Sequence, residues 1–130
     1  MVKWQHSIVS VDSLTPYDKN PRTIGGKQLD DLRASVDKFG LAEPIVANKD
    51  GVIIGGHARY MVATERGEGE VPVYMSDRHL SEDELKELNI RLNKNIAGEW
   101  DFSVLGAEFE FDSLVEWGFD AEVLEKNCGS

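Results

Sequence analysis

Residues 48–60 read NKDGVIIGGHARY, and no other stretch limits the possible folds as much. NKDG is a hairpin signal, because Gly51 can take the positive φ that a tight turn demands. It sets two strands back to back, at 44–47 and 52–54. Gly55 and Gly56 then separate the second strand from a helix expected over 58–66 and stopped by Gly67. A strand-to-helix corner without side chains serves one of two ends. Either it makes a tight turn, or it lets something come close to the backbone.

The flanking segments supply a sheet and helices around that corner. IVSVDSL at 8–14 reads as a short strand, and VPVYM at 71–75 as another. TPYDKNPR at 15–22 carries two prolines and an Asn-Pro step, so it is expected to be an ordered loop. The clearest helix is 28–39, where Leu29, Leu32, Val36 and Phe39 recur at helical spacing and Gly40 supplies a stop. Ser81 and Glu84 form a capping box, starting a helix with Leu85, Leu88 and Leu92 as its buried stripe. Asp101 and Asp112 are expected N-caps in a tail of two or three short acidic helices over 98–126, with Gly118 as a stop. The expected class is α+β: a small mixed sheet flanked by helices, with a short helical appendage. The expected division is a main domain over 1–97 and an acidic carboxy-terminal extension over 98–130, packed on it.

Composition excludes several functions. The only cysteine is Cys128, so neither an internal disulfide framework nor a cysteine metal cluster can form. No apolar run reaches the length of a membrane span, and the first residues lack a signal-peptide layout, so the expected location is the cytoplasm. Net charge is −10 and uneven. Residues 1–60 hold eight Lys/Arg against seven Asp/Glu, whereas residues 61–130 hold six against seventeen. Such a chain is a poor generic binder of phosphate backbones, so DNA contact is expected to be local, weak or carried by a partner.

Three places could carry chemistry. At the glycine corner, helix-start N–H groups and the helix dipole suit a phosphate held by Gly55, Gly56, His57, Ala58 and Arg59. Arg59 would add a forked contact, and His57 a hydrogen bond or acid–base chemistry near neutral pH. A plain structural turn explains the same five residues. In the loop, Pro21 aims Arg22 in a defined direction, near Lys19, Lys27 and Arg33. In NIRLNKNIAGE, Asn89 and Asn93 share a helix face at a cost in propensity, with Lys94 and Asn95 following. That cost fits a ligand contact or the fraying end of a helix. His57, Asp18 and Glu43 make a cruder acid–base and metal set, the basis for a nuclease reading. The tail aromatics Trp100, Phe102, Phe109, Phe111, Trp117 and Phe119 fit helices pinned to a core, or an interaction module or DNA mimic.

Taken together, LTPYDKNPR, then LDDLRASVDKFGLAEPIVANKDGVIIGGHARYMVATERGEGEVPVYM, and the tail LSEDELKELNIRLNKNIAGEWDFSVL resemble the ParB/sulfiredoxin superfamily. The resemblance covers residues 6–105 and is nearest to the ParB-like domain of phage and mobile-element proteins, sometimes called a nuclease domain and found beside DNA methylases. It implies a phosphate cradle at Gly55, Gly56, His57 and Arg59, with Arg22 nearby. Partition proteins of this type bind CTP and close on DNA, and sulfiredoxins bind ATP. Sulfiredoxin-like members carry a cysteine where this chain has His57, which removes sulfinic acid repair. Partition proteins have Glu-Asn where this chain has Lys94-Asn95, so a metal-holding glutamate is missing and Lys94 could neutralise phosphate instead.

The expectation is therefore a nucleotide-binding domain for CTP or ATP, with or without Mg²⁺, serving phage or mobile-element DNA partition, modification or regulation. The bound residues would be Arg22, Gly55–Arg59, Asn93, Lys94 and Asn95. Any turnover would be nucleotide hydrolysis or phosphoryl transfer, with His57 and Glu43 as candidate catalytic groups. Candidate partners are DNA, a DNA methylase or other phage protein, and a second copy in a homodimer.

Overall fold

A computed structural model of the protein describes residues 1–23, 25–93 and 99–128. Its centre is a four-stranded mixed sheet in the order β1-β5-β3-β4. β1 (Trp4–Ser10) runs antiparallel to β5 (Glu70–Ser76), and β5 runs parallel to β3 (Ile45–Ala47). β3 pairs antiparallel with β4 (Ile53–Gly55) through the expected hairpin. In that turn Gly51 N–H donates to the Asn48 carbonyl at 2.8 Å, and φ at Gly51 is 94°. A Cβ on Gly51 would collide with the Ser13 carbonyl oxygen, so only glycine fits. A two-residue ladder joins β2 (Arg22–Thr23) to β6 (Glu99–Trp100).

The first strand lies earlier than the sequence suggests. Residues 11–13 form a single 3₁₀ turn instead of strand. Ser10 Oγ accepts the Asp12 N–H at 3.3 Å, and Ser13 donates to the Ser10 carbonyl at 2.6 Å. Short polar side chains bond their own backbone here and end the ladder.

Helix α1 (Gly26–Phe39) and helix α2 (His57–Glu65) pack against each other. Arg33 on α1 forks onto both carboxylate oxygens of Glu65, at 2.9 and 2.8 Å. Helix α3 (Glu82–Asn93) begins at the capping box: Glu84 N–H donates to Ser81 Oγ and Ser81 N–H to Glu84 Oε1. Three short helices follow, α4 (Phe102–Glu108), α5 (Phe111–Glu116) and α6 (Ala121–Cys128). Asp101 caps α4 as expected. Asp112 does not cap α5; the N-cap is Glu110, and Asp112 sits in the first turn, where its charge still favours the helix dipole. Asp120 supplies a cap for α6 that the sequence reading missed.

Two apolar clusters share β4. Ile53 joins Leu14, Ile45, Ala47, Ala63, Val71 and Val73. Ile54 joins Tyr17, Leu80, Leu85, Ile90, Leu105, Phe109, Leu114 and Leu124. Both faces of this strand are covered, which is why it reads as a continuous apolar run and not an alternation. Trp100, Phe102, Trp117 and Phe119 pack against the second cluster, and Trp100 meets Phe119 edge-on at 4.8 Å between centroids. Two expected stripes are only part buried. Phe39 stays 71% exposed, and Leu92 39% exposed. On α1 only Val36 is fully buried. Leu29, Leu32 and Leu92 instead line a cavity. Helical periodicity marks an apolar face, but it does not distinguish a filled core from an open hollow.

Candidate functional site

The hollow has a volume of about 1180 Å³ and opens between α1, α2, the end of β4 and the loop that precedes β2. Gly55, Gly56, His57, Ala58 and Arg59 all line it, together with Glu43 and Asn93. Gly56 is the N-cap of α2, with φ at 88°. A Cβ there would press on the Ile45 backbone at 3.3 Å and reach within 3.6 Å of Arg59 Nη1. A Cβ on Gly55 would meet Leu92 Cδ1 at 3.4 Å. The corner is thus both a tight turn and an open one. Its glycines satisfy the chain's own packing, and the helix start still faces the cavity. The first amides of an α-helix lack partners within the helix and carry its positive dipole end.

Arg59 is one turn into α2, and its Nη2 donates to Glu43 Oε2 at 2.6 Å. Its side chain is 30% exposed while that of Glu43 is 73% exposed. The pair therefore holds a carboxylate beside the helix start, in the position an oxyanion would compete for. Glu43 reaches it from the connection between α1 and β3, which follows Gly40 at φ 77°.

His57 lines the cavity and also ties the loop to the helix start. Its Nε2 accepts the Tyr17 N–H at 3.2 Å. Burial pushes the imidazole pKa down to about 4. A pKa lowered in this way favours the neutral imidazole near pH 7, with Nε2 engaged as an acceptor. Its visible work is to hold the proline-rich loop on the cavity rim. That loop is fixed elsewhere too. Tyr17 hydroxyl donates to Glu82 at 3.2 Å, and Lys19 bridges Glu82 at 3.3 Å and Glu108 at 3.7 Å. Burial, then the Glu82 carboxylate, raise the Tyr17 phenol pKa, so it stays protonated.

The asparagines on α3 divide the work. Asn89 is fully buried; its Nδ2 donates to the Ile54 carbonyl at 3.0 Å and to Asn20 Oδ1 at 3.1 Å. It ties loop, strand and helix together behind the glycine corner. Asn93 reaches the cavity, and its Nδ2 also donates to the Asn89 carbonyl at 2.6 Å. Arg22 lies in β2 opposite Trp100. Lys94 and Asn95 lie outside the described residues. Asp18, Glu43 and His57 do not assemble into a metal set: among the described residues no group of three or more His, Cys, Asp or Glu could hold an ion. Sequence reasoning missed Pro16, Tyr17, Asn20 and Gln28, which also line the cavity. The ordered, proline-bearing loop was the available signal for the first three.

A family model for the ParB N-terminal domain matches residues 3–96. The chain belongs to the ParB N-terminal domain family. Among curated proteins it is similar to the ParB-like nuclease domain-containing protein YnaK of Escherichia coli (strain K12), 36% identical over 63 residues, which cover 48% of this chain and 72% of that one. Among solved structures, a pNOB8-like ParB N-domain superposes with a TM-score of 0.66 at 18% identity, over 89% of this chain and 46% of that one. The C-terminally truncated chromosome-partitioning protein ParB of Caulobacter crescentus, complexed with CTP-γ-S, gives 0.61 at 18% identity, over 95% and 77% of the two chains. At such identity the superpositions establish the ParB fold alone. No helix among the described residues is long and apolar enough to cross a membrane.

Proposed function

We propose that this ParB N-terminal domain binds a nucleoside triphosphate, CTP or ATP, with its phosphates on the turn at Gly55, Gly56, His57, Ala58 and Arg59. One observation carries the reading: the amino end of α2 opens into a cavity of about 1180 Å³, beside an arginine whose partner is an exposed, displaceable carboxylate. The CTP-γ-S complex of a protein with the same fold supports it. Arg22, Asn93, Lys94 and Asn95 are proposed as further contacts to the phosphates or to a Mg²⁺ ion that accompanies them. Any turnover would proceed by positioning and charge neutralisation, as phosphoryl transfer generally does. In the cell we place the domain in the cytoplasm, in DNA partition, modification or regulation for a phage or mobile element. DNA would be met weakly or through a partner such as a DNA methylase, and the working form would be a homodimer. We divide the chain into a nucleotide-binding body at 1–97 and an acidic extension at 98–130.

Calorimetric titration with CTP and ATP, each with and without Mg²⁺, tests this directly. Arg59→Ala should weaken binding about 10- to 100-fold, the value of a charge-assisted hydrogen bond to phosphate. Glu43→Gln should tighten it roughly two- to fivefold, because a competing exposed ion pair is removed. Absence of saturable binding by either nucleotide, or an unchanged affinity in Arg59→Ala, rejects the proposal.

A further inference from the structure

The sheet ends in an edge strand without the usual protection. β1 occupies the edge opposite β4, with β5 as its one neighbour in the sheet. Asp77 N–H donates to the Lys3 carbonyl at 2.9 Å and Val11 N–H to the Gly69 carbonyl at 3.0 Å, so the odd-numbered positions bond to β5. In an antiparallel ladder the positions between them turn their backbone groups the other way. Trp4, His6 and Ile8 therefore aim N–H and C=O at the open edge, and Ser10 aims its N–H there; the Ser10 carbonyl accepts from Ser13. Among the described residues no hydrogen bond from another segment reaches those groups. Edge strands are ordinarily blunted by charge, proline, a bulge or brevity. β1 has seven residues, WQHSIVS, without Lys, Arg, Asp, Glu or Pro, and its register with β5 is unbroken. One face is open and apolar as well: Ile8 is 58% exposed, and Trp4 and Tyr74 are exposed on the same side.

We propose that β1 is a docking edge for a second copy of this chain, which adds its own β1 antiparallel to make one sheet continuous across two protomers. The outward groups select the register. A two-fold axis at Ser7 sets Trp4 opposite Ser10 and His6 opposite Ile8 of the other copy, and it engages every outward position of both strands; a slip of two residues either way leaves some unpaired. The side chains agree with this register. His6 meets Tyr74 edge-on at 5.5 Å, and Ile8 lies opposite Pro72, so the row Tyr74, His6, Ile8, Pro72 crosses the junction without a break. Charge favours a second copy too. A net charge of −10 opposes self-association through most of the surface, but residues 4–10 are uncharged. Lys3 precedes them and Asp12 follows, so antiparallel pairing brings each Lys3 beside the other copy's Asp12. Asp77, at the Lys3 end, already accepts the Lys3 N–H. This names the surface of the homodimer proposed above and rests on that reading for its occupant. The glycine corner follows β4, at the far edge of the sheet, so the contact needs no nucleotide.

Sedimentation velocity on the full chain over a range of concentrations, with and without CTP, reads the association. A single strand ladder is a small interface, so a Kd of roughly tens of micromolar is expected, the same in both conditions. Ile8→Pro removes an outward N–H, which an edge strand tolerates, and Ile8→Lys puts a charge on the open face close to its symmetry mate. Each should weaken self-association by about tenfold or more and keep the wild-type melting temperature. A cross-link fixes the register independently. In a Cys128→Ser background, Ser7→Cys would face its own mate with Cα atoms about 4.5 Å apart and should form an intermolecular disulfide on mild oxidation. Gln5→Cys, roughly 14 Å from its mate, should not. A dimer that survives both Ile8 substitutions and gives no Ser7→Cys cross-link, or a dimer seen only with CTP, overturns this inference alone and moves the homodimer to another face. A chain that stays monomeric at every concentration, with and without CTP, overturns the inference and the homodimer reading together.

Discussion

Two polar side chains show how a single residue can be committed to structure where its type suggests chemistry. Asn48 looks like an ordinary turn residue, yet it is 1% exposed. Its Oδ1 accepts the Leu80 N–H at 2.8 Å, and its Nδ2 donates to the Leu80 carbonyl at 3.2 Å, which clamps the start of the α3 approach onto the hairpin. His57 accepts the Tyr17 N–H, and burial favours its neutral form. Its titration makes a measurable prediction. An unfolded imidazole titrates near 6.5, whereas folded His57 does so at about 4. Between those values the unfolded chain takes up a proton that the folded chain refuses. Stability therefore falls as pH drops from 6.5 toward 4, by on the order of 2–3 kcal/mol from this group. In His57→Gln, which retains an acceptor for the Tyr17 N–H, the melting temperature should decline less steeply over that window. Parallel curves for the two proteins would assign the acid sensitivity to the carboxylates instead.

The elements are individually simple, and their junctions carry the site. Helix α3 was legible from its capping box, and α2 from the glycines before it. What fixes α3 against β4 is Asn89, through the Ile54 carbonyl, and the same amide holds Asn20 in the loop. Asn89→Ala leaves that buried carbonyl without a donor and opens space beside it. The expected loss is about 2–4 kcal/mol in chemical denaturation, larger than an exposed helix substitution gives. Nucleotide affinity should fall as well, because the loop on the cavity rim loses an anchor. A variant with the wild-type denaturation midpoint would show that the junction is held by packing alone. Helix α1 is the converse case. Its stripe was read correctly as apolar, but Leu29 and Leu32 line a hollow, and Arg33 pairs with Glu65 of α2 across the helix contact.

For the molecule as a whole, the second apolar cluster links the tail to the body. Leu105, Phe109, Leu114 and Leu124 are buried together with Tyr17, Ile54, Leu85 and Ile90. Removing residues 103–130 would uncover that apolar face and weaken the support under Tyr17, hence under His57. We expect the shortened chain to lose its cooperative thermal transition and to bind a hydrophobic dye. A fragment that melts cooperatively near the full-length temperature would make the tail an appendage. Most of the architecture was readable beforehand, because helical period, capping boxes and hairpin glycines are local physics encoded by nearby residues. The glycine corner and its arginine were visible in the same way. The salt link from Glu43 to Arg59 and the desolvation of His57 were not. Each depends on which distant segment comes to rest beside it, and desolvation and hydrogen-bond partnership exist only once the chain has closed around them.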